Sequence, residues 1–124
     1  MKTMIAVAVL VTAAGAAVAA PTVEVKTPIG NVLAAEAGGM TLYTFRKDRR
    51  AVSNCTGSCA ASWPPFLVGR RGAANDGSTI IQRPNGTLQW ATSAGLPLYF
   101  WTGDSAPGQT TGHGVGGLWD AARR

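Results

Sequence analysis

Valines alternate with polar residues through Thr22-Val23-Glu24-Val25-Lys26, which puts both valines on one face of a strand. Pro28-Ile29-Gly30-Asn31 then reads as a turn, residues 32–36 as a second short strand, and Gly38-Gly39 as a tight turn. Thr41-Leu42-Tyr43-Thr44-Phe45 is a third strand by its β-branched and aromatic content. The same order recurs later. Residues 78–83 form a strand, Pro84-Asn85-Gly86 a turn with a hairpin dipeptide, residues 87–91 a strand, Ala94-Gly95 a turn and residues 97–101 a strand. Each copy passes through a loop of small and polar residues and returns to an apolar segment, residues 63–68 and 118–122, which reads as a fourth strand. Helical periodicity is absent after the first 19 residues.

The recurrence is a sequence repeat. Residues 22–68 lie over residues 78–124 at a constant offset, with no gap. Pro28 falls on Pro84, Gly30 on Gly86, Ala35 on Ala91, Gly39 on Gly95, Leu42-Tyr43 on Leu98-Tyr99, Asp48 on Asp104 and Trp63 on Trp119. Tyr, Asp and Trp are scarce in this chain, so those matches carry the weight. The predicted fold is all-β, with two repeats forming a compact pseudo-twofold sandwich or a barrel-like pair of antiparallel sheets. Two repeats do not close a propeller, despite Gly112-His113 preceding Leu118-Trp119-Asp120.

Residues 1–19 read as a secretory signal peptide. Lys2 supplies a positive start, residues 5–11 an apolar run, and Ala17-Val18-Ala19 a small-x-small cleavage site. Residues 20–124 are then one domain with one core, joined across a Gly/Ala/Asn/Asp linker at residues 72–77. No cysteine stands near the cleavage point, so the expected product is periplasmic or secreted, soluble and not lipid-anchored, with no later transmembrane segment. In an oxidising compartment Cys55 and Cys59 are expected to form a disulfide that pins a local turn. Their spacing excludes Cys-x-x-Cys-His haem attachment. A zinc site lacks ligands, and no cofactor is expected. The rival reading makes the pair a redox or metal site, copper included, with Met40 and His113 as further ligands.

The formal charge is +5 and falls by one when Lys2 leaves. Arg46-Lys47 with Arg49-Arg50, Arg70-Arg71 and Arg123-Arg124 carry much of it. Secretion argues against nucleic acid as a partner and leaves anionic envelope polysaccharide or lipid; a solvated basic turn without a partner is the plainer reading.

Two stretches could bear chemistry, Tyr43-Thr44-Phe45-Arg46-Lys47-Asp48 and Tyr99-Phe100-Trp101-Thr102-Gly103-Asp104. Both read Tyr-x-aromatic-x-x-Asp. On a strand the Tyr and the second aromatic share a face, and the Asp follows where the chain turns. There the carboxylate accepts N–H bonds from the residues just after it and fixes the turn. Alternatively Tyr43, Phe45, Asp48, Tyr99, Trp101 and Asp104, extended by Trp63, Trp90 and Trp119, form a platform for sugars, with rings for their apolar faces and acceptors for their hydroxyls. A glycosidase pair of Asp48 and Asp104 is disfavoured, because repeats provide like environments where acid and base need unlike ones. There is no Cys–His pair with a free thiol, no Gly-x-Ser-x-Gly and no phosphate loop. His113 reads as an exposed loop residue, and no catalytic residue is expected.

With these motifs the chain resembles the bacterial secreted-repeat proteins described as predicted lipoproteins with a Tyr-x-aromatic-x-x-Asp motif. The resemblance runs from about residue 22 to 123. It includes Gly39-Met40-Thr41-Leu42-Tyr43, Cys55-Thr56-Gly57-Ser58-Cys59-Ala60, Trp63-Pro64-Pro65, Gln89-Trp90-Ala91, Pro97-Leu98-Tyr99 and Gly108, Gly112 and Gly114 before Trp119. The resemblance implies no defined activity. The chain departs from that pattern in lacking a lipid-attachment cysteine and in its heavier basic run around Asp48. The expectation is a secreted, non-enzymatic two-repeat β module of the bacterial cell envelope, a binding or interaction protein of unknown ligand.

Overall fold

A computed structural model describes residues 20–69 and 74–124. The expected signal segment 1–19, Arg70-Arg71 and the start of the linker lie outside the described residues. Strands β1 (Thr22–Thr27) and β2 (Gly30–Ala35) pair antiparallel, with Thr27 opposite Gly30 across the two-residue turn Pro28-Ile29. Strand β3 is Tyr43–Phe45 and helix α1 is Ser58–Ser62. Strands β4 (Thr79–Gln82) and β5 (Leu88–Ala91) form the second hairpin, and β6 is Trp119–Ala121. β6 returns to pair with β3, so the end of the second repeat closes on the first.

The protein is mostly β, with three two-stranded antiparallel sheets and no closed barrel among the described residues. The expected third strand of the second copy and fourth strand of the first are held by isolated bridges at Pro97, Tyr99, Pro65 and Leu67 rather than by ladders. Prolines explain this, since Pro64, Pro65 and Pro97 have no N–H to donate. Helix α1 departs from the expectation of no helix. One turn is too short to display a period; it starts just after Gly57, whose φ is positive, includes Cys59 and runs on past the disulfide to Ser62.

Backbone bonds between the sheets come in matched pairs. Tyr43 and Tyr99 exchange both N–H···O bonds, at 2.8 and 3.0 Å. Ala122 N–H donates to Leu42 O as Phe66 N–H donates to Leu98 O, and Arg46 N–H to Leu118 O as Thr102 N–H to Ser62 O. Leu33 N–H donates to Ala122 O, however, and its counterpart is Trp90 N–H donating to Phe66 O. Leu33 therefore matches Trp90, not Gln89, and the gapless alignment needs correction. The Pro84-Asn85-Gly86 turn, closed by Arg83 N–H on Thr87 O, holds one residue more than the Pro28-Ile29 turn. The turn from Thr92 to Leu96 holds one fewer than that from Ala35 to Met40, which restores the offset. Gly30 and Gly86, and Ala35 and Ala91, are not structural equivalents.

Two apolar clusters form the core. One gathers Val32, Tyr43, Cys55, Trp63, Tyr99, Trp119 and Ala121; the other gathers Leu33, Ala35, Leu42, Trp90, Leu98 and Ala122. No helix of the described residues is long and apolar enough to cross a membrane.

Candidate functional site

The aromatic-acid motifs meet in the interior. Trp63 and Trp119 stack face to face, with ring centroids 3.7 Å apart and planes 2° from parallel. Phe45 lies on the outer face of Trp119 at 4.3 Å, and Trp101 on that of Trp63 at 4.1 Å. The result is a four-ring column, Phe45–Trp119–Trp63–Trp101. Tyr43 meets Trp63 edge-on at 5.5 Å and Tyr99 meets Trp119 edge-on at 5.3 Å. The two edge-on contacts are the T-shaped geometry that ring quadrupoles favour, and they flank the closer face-to-face stack of Trp63 and Trp119. Trp90 belongs to the other cluster, against Phe66, and does not extend the column.

The polar ends of the motifs are crossed between repeats. Tyr43 donates its hydroxyl to Asp104 Oδ2 at 2.6 Å, and Tyr99 donates to Asp48 Oδ2 at 2.7 Å. The second oxygen of each carboxylate holds a loop. Asp48 Oδ1 accepts Asn54 N–H at 2.6 Å, and Asp104 Oδ1 accepts Thr111 N–H at 3.0 Å and the Thr111 hydroxyl at 2.6 Å. Those donors stand six and seven residues on, so the carboxylates span whole loops rather than the immediate turn. Gly112 N–H donates to the Tyr43 hydroxyl. A Cβ there would stand 2.9 Å from the Tyr43 ring, so only glycine allows that approach. Tyr43 and Tyr99 are fully buried, and Asp104 is 8 % exposed.

The two halves are not electrostatically alike. Burial raises the Asp48 carboxyl above its ordinary range, against the Asn54 N–H, the Tyr99 hydroxyl and the positive charge of Arg83, which pull it down. Burial, and then the hydrogen bond to Asp104, push the Tyr43 phenol well above its ordinary value. Tyr99 is raised likewise, by burial first, although Ser53 pulls it down. Both phenols therefore stay neutral donors. Ser53 Oγ lies 2.6 Å from the Tyr99 hydroxyl and accepts Arg83 Nη1 at 3.1 Å. Tyr99, unlike Tyr43, thus belongs to a chain that runs across both repeats, Asp48–Tyr99–Ser53–Arg83, extended by Gln89. Arg83 does not stand out in the sequence, and Gln89 does so only as part of Gln89-Trp90-Ala91. With the corrected register, Gln89 occupies the place of the buried Val32, and that exchange is the signal the gapless alignment hides.

Outside the core, Arg46 pairs with Asp120 at 2.9 Å, which lowers the Asp120 carboxyl. Lys47, Arg49 and Arg50 are exposed and have no carboxylate within 4 Å among the described residues. Their turn is fixed: Arg49 and Val52 exchange both backbone bonds, and Ala51, at φ 62°, donates its N–H to Gly95 O at 2.8 Å. Arg123 is tied to the carbonyls of Ile29 and Asn31. His113 is exposed, and its Nδ1 accepts the Ala121 N–H. It lies at a shallow cleft of about 500 Å³ with Asp76, Asp120 and Arg124.

Cys55 and Cys59 are joined in a disulfide, with Cys55 fully buried. Their sulfurs are not available as thiolate ligands in this state, and no group of three or more His, Cys, Asp or Glu side chains suited to a metal occurs among the described residues. Thiol labelling of the unreduced, denatured protein is expected to find no free cysteine. The Cys55→Ser/Cys59→Ser variant should lose about 2 kcal/mol, as expected for so short a loop. Two labelled thiols per chain would return the pair to redox or metal chemistry.

No curated protein and no solved structure matches the chain. Residues 23–66 and 79–123 each match one copy of a single family model, and the two matched stretches are the halves that the crossed Tyr–Asp bonds join. The chain belongs to the family described as a secreted repeat of unknown function.

Proposed function

We propose that this protein is a non-enzymatic binding module of the bacterial cell envelope, built as a pseudo-twofold sandwich. Its fixed basic turn grips anionic envelope polymers. The observation that carries this reading is the contrast between the two ends of the first motif. Tyr43, Phe45 and Asp48 are turned to the interior, whereas Arg49 and Arg50 face solvent on a turn locked by three backbone bonds, with Lys47 exposed just before it. A locked turn holds its charges together without the ordering cost a flexible loop incurs on binding. The carboxylates and phenols of both motifs bond one another and their loops, which supports a structural role for them over a sugar platform or an acid–base pair.

Titration of the mature protein with an anionic polysaccharide tests this. Binding is expected at low ionic strength, weakening as salt screens the turn. Lys47→Gln/Arg49→Gln/Arg50→Gln should weaken it at least about tenfold with an unchanged melting temperature, since exposed cations contribute little to stability. Equal binding by this variant, or none by the parent protein, would refute the reading.

A further inference from the structure

Arg83 is only 5 % exposed, yet all three of its hydrogen-bond acceptors are neutral. Nη1 donates to Ser53 Oγ at 3.1 Å and Gln89 Oε1 at 2.8 Å, and Nη2 donates to Cys55 O at 3.0 Å. No carboxylate lies within 4 Å of the guanidinium among the described residues, and Nε has no acceptor among them. Asp48 compensates this charge from a distance, and hydrogen bonds link the two only through Ser53 and the Tyr99 hydroxyl. A guanidinium never sheds its proton to escape burial, and buried charges are ordinarily paired. The first repeat does without this group: its corresponding residues are Thr27 and Val32.

Arg83 also lines a cavity of about 430 Å³, open to solvent, between the disulfide loop and the β4–β5 turn. Thr56, Gly57 and Ala60 form one wall; Arg83, Pro84 and Asn85 form the other. No acidic residue lines it. The Asn85 Oδ1 is occupied by the Thr87 N–H at 3.1 Å and the Thr87 hydroxyl at 2.7 Å, so the remaining function of that side chain is its amide donor. Arg83, Asn85 and Thr56 therefore all line a space that no carboxylate lines. Its volume exceeds what a bare phosphate or carboxylate needs and falls within the range of small-ligand pockets.

We propose that this cavity is an oxyanion site, in which Arg83 and the Asn85 amide bind the carboxylate or phosphate of a sugar-sized acid. Arg83 supplies a charge-assisted bond from a position already rigid, and the disulfide holds the facing wall in place. The site uses none of Lys47, Arg49 and Arg50, so acid binding here and polymer binding at the basic turn stand or fall separately.

The test is titration of the ¹⁵N-labelled mature protein with sodium glucuronate, glucose 6-phosphate and neutral glucose. The Arg83 Nε–H and Asn85 side-chain amide resonances should shift saturably with at least one acid and not with glucose. Saturation by glucuronate alone assigns a carboxylate ligand; saturation by glucose 6-phosphate alone assigns a phosphate. Arg83→Met should abolish the shift, but it also removes three internal hydrogen bonds. Asn85→Asp therefore decides the matter, because it keeps the acceptor that caps the turn and replaces the amide donor with a negative charge. It should weaken binding by about tenfold or more, the worth of one charge-assisted hydrogen bond. An unmoved Arg83 signal, equal binding by Asn85→Asp, or shifts spread evenly over the exposed arginines would overturn the assignment.

Discussion

Trp63→Ala is expected to lower stability by about 3–5 kcal/mol, the range for removing a large buried aromatic. Trp63 touches Trp119 and Trp101 by stacking and Tyr43 by its edge, so one truncation empties the middle of the ring column. The corresponding fall in melting temperature is on the order of 15 °C or more for a domain of this size. Trp63→Phe keeps a ring between its neighbours and should cost markedly less. Urea unfolding followed by far-ultraviolet circular dichroism measures both without relying on tryptophan emission. A loss below about 1 kcal/mol for Trp63→Ala would mean the column is peripheral to the fold.

Asp104→Ala should cost about 2–4 kcal/mol, because it leaves the Tyr43 hydroxyl and both Thr111 donors without their acceptor. Asp48→Ala should cost less. The Tyr99 hydroxyl keeps Ser53 as a partner, and the lost carboxylate is one whose charge burial already disfavours. Sequence alone, with two like motifs, leads one to expect like costs. A double-mutant cycle of Tyr43→Phe with Asp104→Ala should show a coupling of about 1 kcal/mol between residues of different repeats. Additive effects in that cycle, together with equal costs for the two aspartates, would contradict the crossed arrangement.

The strand alternation at Thr22–Lys26, the proline turns, the paired motifs and the cysteine loop were legible because each is a local signal. What escaped was long-range. Nothing in either motif says that Tyr43 finds Asp104 rather than the nearer Asp48, since strand geometry settles faces and not partners. The shifted register of β5 was masked because one turn is longer and the next shorter, so matches on either side stay aligned. Arg83 and Gln89 looked like turn and strand residues with no counterpart worth noting. Only the fold shows that Gln89 and the guanidinium of Arg83 point inward, and that Asn85 and Thr56 come to one cavity.

The crossed Tyr–Asp bonds and the paired tryptophans bear on how such a chain comes into being. A single copy has a tyrosine hydroxyl without its carboxylate, a carboxylate without its tyrosine, and one bare tryptophan face. Two separate copies would satisfy one another by the same bonds, because the crossed arrangement is self-complementary in the manner of a twofold dimer. The covalent join then changes concentration dependence rather than contacts: it turns a bimolecular association into a unimolecular one. It also frees the halves to diverge. One half holds Thr27 and Val32 where the other holds Arg83 and Gln89, a difference that a symmetric dimer of identical copies could not carry.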